Sequence, residues 1–274
     1  MIGNGKTVLI TGSTDGVGAR VAERLGAMGL HVILHGRDQA RGERVADGIR
    51  AAGNPAVEFL QADLSSLSEV RRLAKAVGLA HPRLDILINN AGIGSGGSRG
   101  QRQTSADGYE LRFAVNYLAG FLLTMLLLPT LRASAPARIV NVASAGQSPI
   151  DFDDVMLERA YSGGRAYTQS KLAQVMFTFD LAREIAGSGV TVNALHPATY
   201  MDTTMVRQSG AAPLSTVDEG ADAIMNLAIA PALDGVSGRY FDRLQPARAE
   251  AQAYDERTQR RLRELSLRLT GLSS

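Results

Sequence analysis

The chain has no cysteine and no tryptophan. The first absence excludes disulfides, thiolate nucleophiles and cysteine-ligated metals. The second, with aromatics at only 5%, points to a largely aliphatic core. An excess of charge is also lacking: 29 basic against 27 acidic residues leave a net charge of +2, with no basic patch to attract nucleic acid. Long hydrophobic runs are scarce. The most apolar stretch, 113–128, is shorter than the ~20 residues that span a bilayer, and it contains Asn116, so a buried helix is expected. The four histidines show no ligand spacing, and no metal site is expected. The first strand starts within a few residues of Met1, which leaves no room for a leader peptide. These features predict a cytoplasmic protein without a membrane anchor. At 274 residues and 45% hydrophobic content, the chain can build one large α/β domain or two small ones.

What is present begins with a short apolar run, 6–11, of the kind found in buried parallel strands. Thr11-Gly12-Ser13-Thr14-Asp15-Gly16-Val17-Gly18 follows directly, and then a helical pattern over 19–28 closed by Gly29. Strand, glycine turn and helix in that order are the context a phosphate-binding turn needs: glycines admit a pyrophosphate, and the helix start offers free N–H groups and a positive dipole end; a tight turn without a ligand is the alternative. A second strand, 31–35, ends in Gly36-Arg37-Asp38. In a dinucleotide fold this position meets the adenosine ribose, where an arginine suits the 2′-phosphate of NADP and an acid suits NAD. Arg37 precedes the acid, so NADP(H) is preferred, with NAD(H) as the alternative. A helix over 39–52 and a third strand over 56–62 lead to Asp63 and Leu64, where an adenine edge would lie.

The middle of the chain repeats the alternation. A helix over 66–79 precedes a fourth strand, 84–88, which runs into Asn89-Asn90-Ala91-Gly92. A mobile surface loop is expected over 93–104 and a long helix over 107–131 carrying Asn116. The fifth strand, 138–142, exposes Ser144 at its carboxyl end, where an open α/β sheet displays reacting groups. Tyr167 and Lys171 stand four residues apart in a helix over 166–186, so phenol and ammonium face one spot. A fixed cation there would lower the phenol from its usual ~10 and make it a proton carrier near neutral pH. A sixth strand, 190–195, ends in His196-Pro197, a further helix covers 218–230, and a seventh short strand covers 238–241. Apolar residues between 146 and 165 suggest one wall of a substrate cleft. The Met- and Tyr-containing segment 199–216 suggests a lid, and 248–269 an amphipathic end helix.

In order and spacing the chain resembles the short-chain dehydrogenase/reductases. Thr11-Gly12-x-x-x-Gly16-x-Gly18 resembles their cofactor turn, Asn89-Asn90-Ala91-Gly92 their fourth-strand motif, and Tyr167-x-x-x-Lys171 their catalytic pair. Asp107-Gly-Tyr-Glu110, the stretch 115–124, Val192-Asn-Ala-Leu-His-Pro197 and Arg260-Arg-Leu-Arg-Glu-Leu-Ser266 are similar to the retinol-dehydrogenase-like branch and to bacterial carbonyl reductases. The resemblance implies a single doubly wound Rossmann domain over 1–274, with a mostly parallel seven-stranded sheet flanked by helices on both faces. It implies hydride transfer between a nicotinamide and a carbonyl or alcohol. Tyr167 would be the proton donor, Lys171 the ribose holder that lowers the Tyr167 pKa, Ser144 the carbonyl partner, and Asn116 the holder of a water beside Lys171. Asn90, Ala91, Gly92, Pro197 and Thr199 would line the cofactor. The family usually has Pro-Gly where this chain has Pro197-Ala198, which narrows the backbone there. Members of the branch often carry membrane anchors of a kind not read here, so a retinoid substrate does not follow. A homodimer or homotetramer through the helices of Asn116 and Lys171 is implied as an option. A reductase of C=C or C=N bonds and a non-catalytic nucleotide-binding regulator are the other readings; the complete Asn116, Ser144, Tyr167 and Lys171 set argues against the second.

Overall fold

The structure, a computed structural model, describes residues 5–96 and 101–273. Strand and helix alternate along it. β1 (Thr7–Ile10), α1 (Gly16–Ala27), β2 (His31–Gly36), α2 (Gln39–Ala51), β3 (Val57–Gln61) and α3 (Leu67–Ala80) form the first half. β4 (Ile86–Asn89), α4 (Ala119–Ala133), β5 (Ala137–Val142), α5 (Gly163–Glu184) and β6 (Val190–His196) follow. The chain finishes with α6 (Thr204–Ser209), α7 (Val217–Ile229), β7 (Tyr240–Asp242), β8 (Gln245–Pro246) and α8 (Glu256–Thr270).

All eight strands join one sheet in the order β3-β2-β1-β4-β5-β6-β7-β8. β1 to β7 pair in parallel, and β8 alone runs antiparallel, against β7. The strand order turns between β1 and β4, and the crevice outside their carboxyl ends is where such a sheet binds ligands. The pleat explains why β1 reads as an unbroken apolar run. Val8 and Ile10 pack with Val21 and Leu25 of α1 and Ile224 of α7, whereas Leu9 packs on the opposite face with Leu73 of α3, Leu122 of α4 and Leu172 of α5. Both faces are therefore covered. A polar ladder crosses the second face: Asn89 donates to Thr124 (2.9 Å) and Asn141 (2.9 Å), and Asn141 donates to Thr178 of α5 (2.8 Å).

Four expectations change. The sheet has eight strands, not seven, because Arg243 adopts a left-handed φ of 54° and turns Gln245 and Pro246 back onto β7. Gln245 and Pro246 are exposed and carry no alternating apolar signal to announce a strand. The long helix does not begin at Asp107. Gly108 (φ 84°) makes a turn, and the buried Glu110 carboxylate accepts the N–H of Phe113 (2.7 Å), so the helix starts after it. Residues Phe113–Leu118 then wind with a wider, π-type turn before α4. Together Phe113–Ala133 is long and apolar enough to cross a membrane, but 67% of its apolar window is buried against the sheet and neighbouring helices. The end helix is split: a short turn over Ala251–Tyr254 precedes α8, whose first turn is capped by Asp255. Finally, much of the apolar content of 146–165 serves the core. Ile150, Val155 and Leu157 are buried, and Phe152 lies under the Arg261 guanidinium (4.7 Å), while Pro149 is exposed and Met156 half-buried. Of the expected surface loop, residues 97–100 lie outside the described residues.

α8 lies along α5. Arg263 pairs with Asp180 (3.1 Å), the Phe179 and Tyr254 rings stand 5.3 Å apart, and Tyr117 shares a 2.7 Å hydrogen bond with Ser266.

Candidate active site

The glycine turn is shaped by contacts that only glycine permits. A Cβ on Gly18 would sit 2.3 Å from Gly12 O and 2.4 Å from Asn90 Nδ2, and one on Gly12 would sit 2.8 Å from Ala91 Cα. Asn90 donates to both Thr11 O (2.9 Å) and Gly12 O (3.0 Å), which clasps the turn to the end of β4. Asp15 caps α1 through the N–H of Gly16 (2.7 Å) and accepts the Thr204 hydroxyl of α6 (2.7 Å). α6 thus sits over the glycine turn. The donor set, a close-packed glycine turn at a helix start with an arginine at the end of β2, fits a dinucleotide.

Several expected contacts take another form. The Ser13 side chain is fully buried. It donates to Ile10 O (2.9 Å) and accepts from His35 N (2.9 Å), so it builds the turn instead of facing the crevice. Val17 and Leu64 are buried in the core, which leaves only their backbone for a ligand. Asp63 accepts the N–H of Ser65 (2.9 Å). Arg37 is exposed, and among the described residues its guanidinium has no ion pair. Thr14 packs against Gly36, where any side chain would collide with its methyl. Pro197 and Ala198 are buried after β6, and Thr199 Oγ1 lies 3.0 Å from His196 Nε2.

His35 was not anticipated. Its Nδ1 accepts the Gly12 N–H (3.2 Å), which leaves Nε2 to donate to Ala62 O (3.2 Å). Burial pushes its pKa down to about 4, so the ring stays neutral and this tautomer locks the turn to the ends of β2 and β3.

Tyr167, Lys171, Ser144 and Asn116 converge at the carboxyl ends of β4 and β5. Lys171 Nζ lies 5.8 Å from the centre of the Tyr167 ring. Ser144 lies against the phenol and holds its pKa down in part. Nζ donates to Val142 O (2.8 Å) at the end of β5 and to Gln174 Oε1 (2.9 Å) one turn along α5. Gly92 leaves the space beside it open: a Cβ there would lie 3.5 Å from Nζ and 3.3 Å from Asn116 Oδ1.

The electrostatics differ from the sequence expectation. The Tyr167 phenol is shifted upward, not downward, because burial outweighs the Ser144 hydrogen bond. Lys171 is itself pushed down to about 7 by burial. A desolvated amine at that value is a weak cation for its neighbour. Asn116 also has a different occupation. Its amide accepts from Ile93 N (2.8 Å) and donates to Ile93 O (3.2 Å) and Ser170 Oγ (3.0 Å). It fixes the exit of β4 to α5, and the π-type turn around it is what aims its side chain there.

Ser144 is held by residues that local sequence did not single out. Its carbonyl accepts from Gln147 Nε2 (2.8 Å) and from the Tyr240 hydroxyl of β7 (3.0 Å). Gln147 in turn accepts the N–H of Glu250 (2.9 Å). Beyond Thr199 comes Tyr200, whose φ of 44° is left-handed and strained for a non-glycine residue. Tyr200, Met205 and Leu214 expose large apolar side chains.

The turn, the paired tyrosine and lysine and the doubly wound sheet are those of a nicotinamide-dependent oxidoreductase. Residues 6–213 match the family model of the short chain dehydrogenases, and the chain belongs to that family. It falls in the retinol-dehydrogenase-like branch. It is 41% identical to retinol dehydrogenase 13 of Mus musculus, across 98% of this chain and 85% of that protein. It is 38% identical to retinol dehydrogenase 12 of Homo sapiens, across 98% and 87%. Among solved structures, an uncharacterized protein from Mycobacterium paratuberculosis superposes with a TM-score of 0.81 at 32% identity, covering 97% of this chain and 94% of that one. A Pseudomonas aeruginosa RhlG/NADP complex gives a TM-score of 0.71 at 31% identity, covering 87% and 94%. The chain is accordingly an NAD(P)-dependent enzyme acting on CH–OH/C=O groups.

Proposed function

We propose that the protein is an NADPH-dependent carbonyl reductase for ketones or aldehydes with a large apolar or aromatic body. The observation that carries this reading is the convergence of Tyr167, Ser144 and Lys171 at the crevice beside the glycine turn. When bound, the nicotinamide supplies the hydride. Tyr167 donates the proton to the oxygen that becomes an alkoxide, and Ser144 hydrogen-bonds the same oxygen as its charge grows. Lys171 carries three N–H donors when protonated; two are used by Val142 and Gln174, which leaves one for the cofactor ribose. The upward shift of Tyr167 supports the reductive direction, because a phenol kept protonated is ready to donate.

The preference for NADPH is supported by Arg37, exposed at the end of β2 without an ion pair among the described residues, and by NADP in solved relatives. A bidentate guanidinium–phosphate contact is worth about 1.5–3 kcal/mol, so NADPH should bind at least ~10-fold more tightly than NADH. Titration of nicotinamide fluorescence measures both affinities, and Arg37→Ala should erase the difference. Equal affinities in the parent protein would remove the NADPH assignment. The apolar substrate class is supported by the lid residues Tyr200, Met205 and Leu214. The names of the relatives favour a second reading, oxidation of a long apolar alcohol such as retinol, and a panel of ketones, retinal and retinol separates the two. As for assembly, a partner docking across α4 and α5 would meet α8, which lies on α5. This supports a monomer or a contact through another face.

A further inference from the structure

We propose that His31, Glu58 and His81 form a structural binding site for a divalent transition metal, of which Zn²⁺ is the natural candidate. The fold, not the sequence spacing, assembles it. His31 is the first residue of β2. Glu58 lies on β3 opposite Ile33, so the two-residue pleat puts both side chains on the face that α3 covers. α3 ends one residue before His81, which adopts an extended backbone (φ −123°, ψ 99°) ahead of Pro82 and brings its ring to the same place. One ligand atom from each residue, the two imidazole nitrogens and a carboxylate oxygen, lies within 4.8 Å of the others. Two histidines without ligand spacing in the sequence are thus brought together by the fold, their rings edge to face at 4.9 Å.

A second observation points to a ligand. The His81 side chain is only 9% exposed, and its Nε2 is buried without a hydrogen-bond partner among the described residues. It lies 2.6 Å from Glu58 Oε1, but that contact falls outside the direction of an Nε2–H bond. His31 Nε2 approaches the same oxygen at 3.3 Å. Three ligand atoms gathered this closely, with both imidazoles crowding one carboxylate oxygen, are what a metal at ~2.0–2.2 Å from each would hold. Two imidazole nitrogens and one carboxylate oxygen suit Zn²⁺, Co²⁺ or Ni²⁺ better than Mg²⁺ or Ca²⁺. His31 and Glu58 are each about one-third exposed in their side chains, which leaves a fourth position to water and a path for entry. The site lies at the amino end of β2, at the opposite rim from Tyr167 and Lys171. Its role would be to pin the end of α3 to the edge of the sheet.

The test uses the full chain without a histidine tag, stripped with a chelator and titrated with Zn²⁺ by calorimetry. Co²⁺ serves as a spectroscopic probe through its visible ligand-field band. One equivalent of either ion should bind, and 100 Kd of Zn²⁺ should raise the midpoint of thermal unfolding by roughly 5 °C. His31→Asn and His81→Asn should each weaken binding by about 100-fold and abolish the stabilisation, while turnover is unchanged. Glu58→Gln, which keeps the shape of the side chain, guards against a loss caused by misfolding and should weaken binding as well. No stoichiometric binding by the parent chain, or binding that survives all three substitutions, would overturn the proposal.

Discussion

Ser144 provides the most informative perturbation, through its carbonyl and not its hydroxyl. That carbonyl takes one hydrogen bond from Tyr240 (3.0 Å) and one from Gln147 (2.8 Å). Tyr240→Phe deletes the first and leaves the second. A lost hydrogen bond of this kind costs about 1 kcal/mol. If Ser144 is displaced by that amount only when the oxyanion develops, kcat falls about fivefold. Gln147→Leu should cost a similar amount. In the double variant the buried carbonyl has neither donor, which adds an orphan penalty of about 1–3 kcal/mol. The two substitutions should therefore be non-additive, with a coupling of about 1–3 kcal/mol and a combined loss in kcat on the order of 100-fold or more. The assay is a double-mutant cycle in kcat for NADPH-dependent ketone reduction, with NADPH affinity and thermal midpoint measured in parallel. Positioning predicts lower kcat with unchanged NADPH affinity. A thermal midpoint that drops while kcat stays within twofold, or strict additivity, would refute the idea that β7 and Gln147 hold Ser144.

Two further predictions concern the cradle and the lysine. Gly18→Ala forces a methyl against Gly12 O and the clamped Asn90, so it should cost about 3 kcal/mol and lower both the thermal midpoint and NADPH affinity; an unchanged midpoint would contradict the packing described. Lys171 is held at about 7, below the unfolded value of 10.5, so the unfolded chain carries the extra proton between these limits. The stability of the cofactor-free protein should then rise with pH across that window, by on the order of 5 kcal/mol at its upper end, and Lys171→Met should remove the rise; denaturant midpoints at pH 7 and pH 10 measure it.

What could be read from the chain was what local pattern encodes. The run Thr7–Ile10 with its glycine turn, and Tyr167 with Lys171 one helical turn later, each sit within a short window whose periodicity or spacing is diagnostic. What escaped depends on contacts between distant residues. His35 reaches the turn 23 residues earlier, Tyr240 reaches Ser144 96 residues earlier, and His31 meets His81 only because β3 and the end of α3 bring them together. Ser13, Val17 and Leu64 lay inside or beside motif stretches, yet their side chains went to the fold. Motif position fixes the backbone, and burial decides which side chains remain available. The same cause inverted the electrostatics of Tyr167 and Lys171. Charge pairing is visible in a sequence, but desolvation is not.

In the proposed reaction everything turns on Tyr167 carrying the proton to the substrate oxygen. The most direct measurement is single-turnover reduction of a ketone by Tyr167→Phe with NADPH bound, alongside NADPH affinity by fluorescence. The phenyl ring keeps the packing and removes only the hydroxyl. Turnover should fall by about 10²–10⁴-fold with NADPH affinity within a few-fold of the parent. Turnover within a few-fold of the parent would contradict the account.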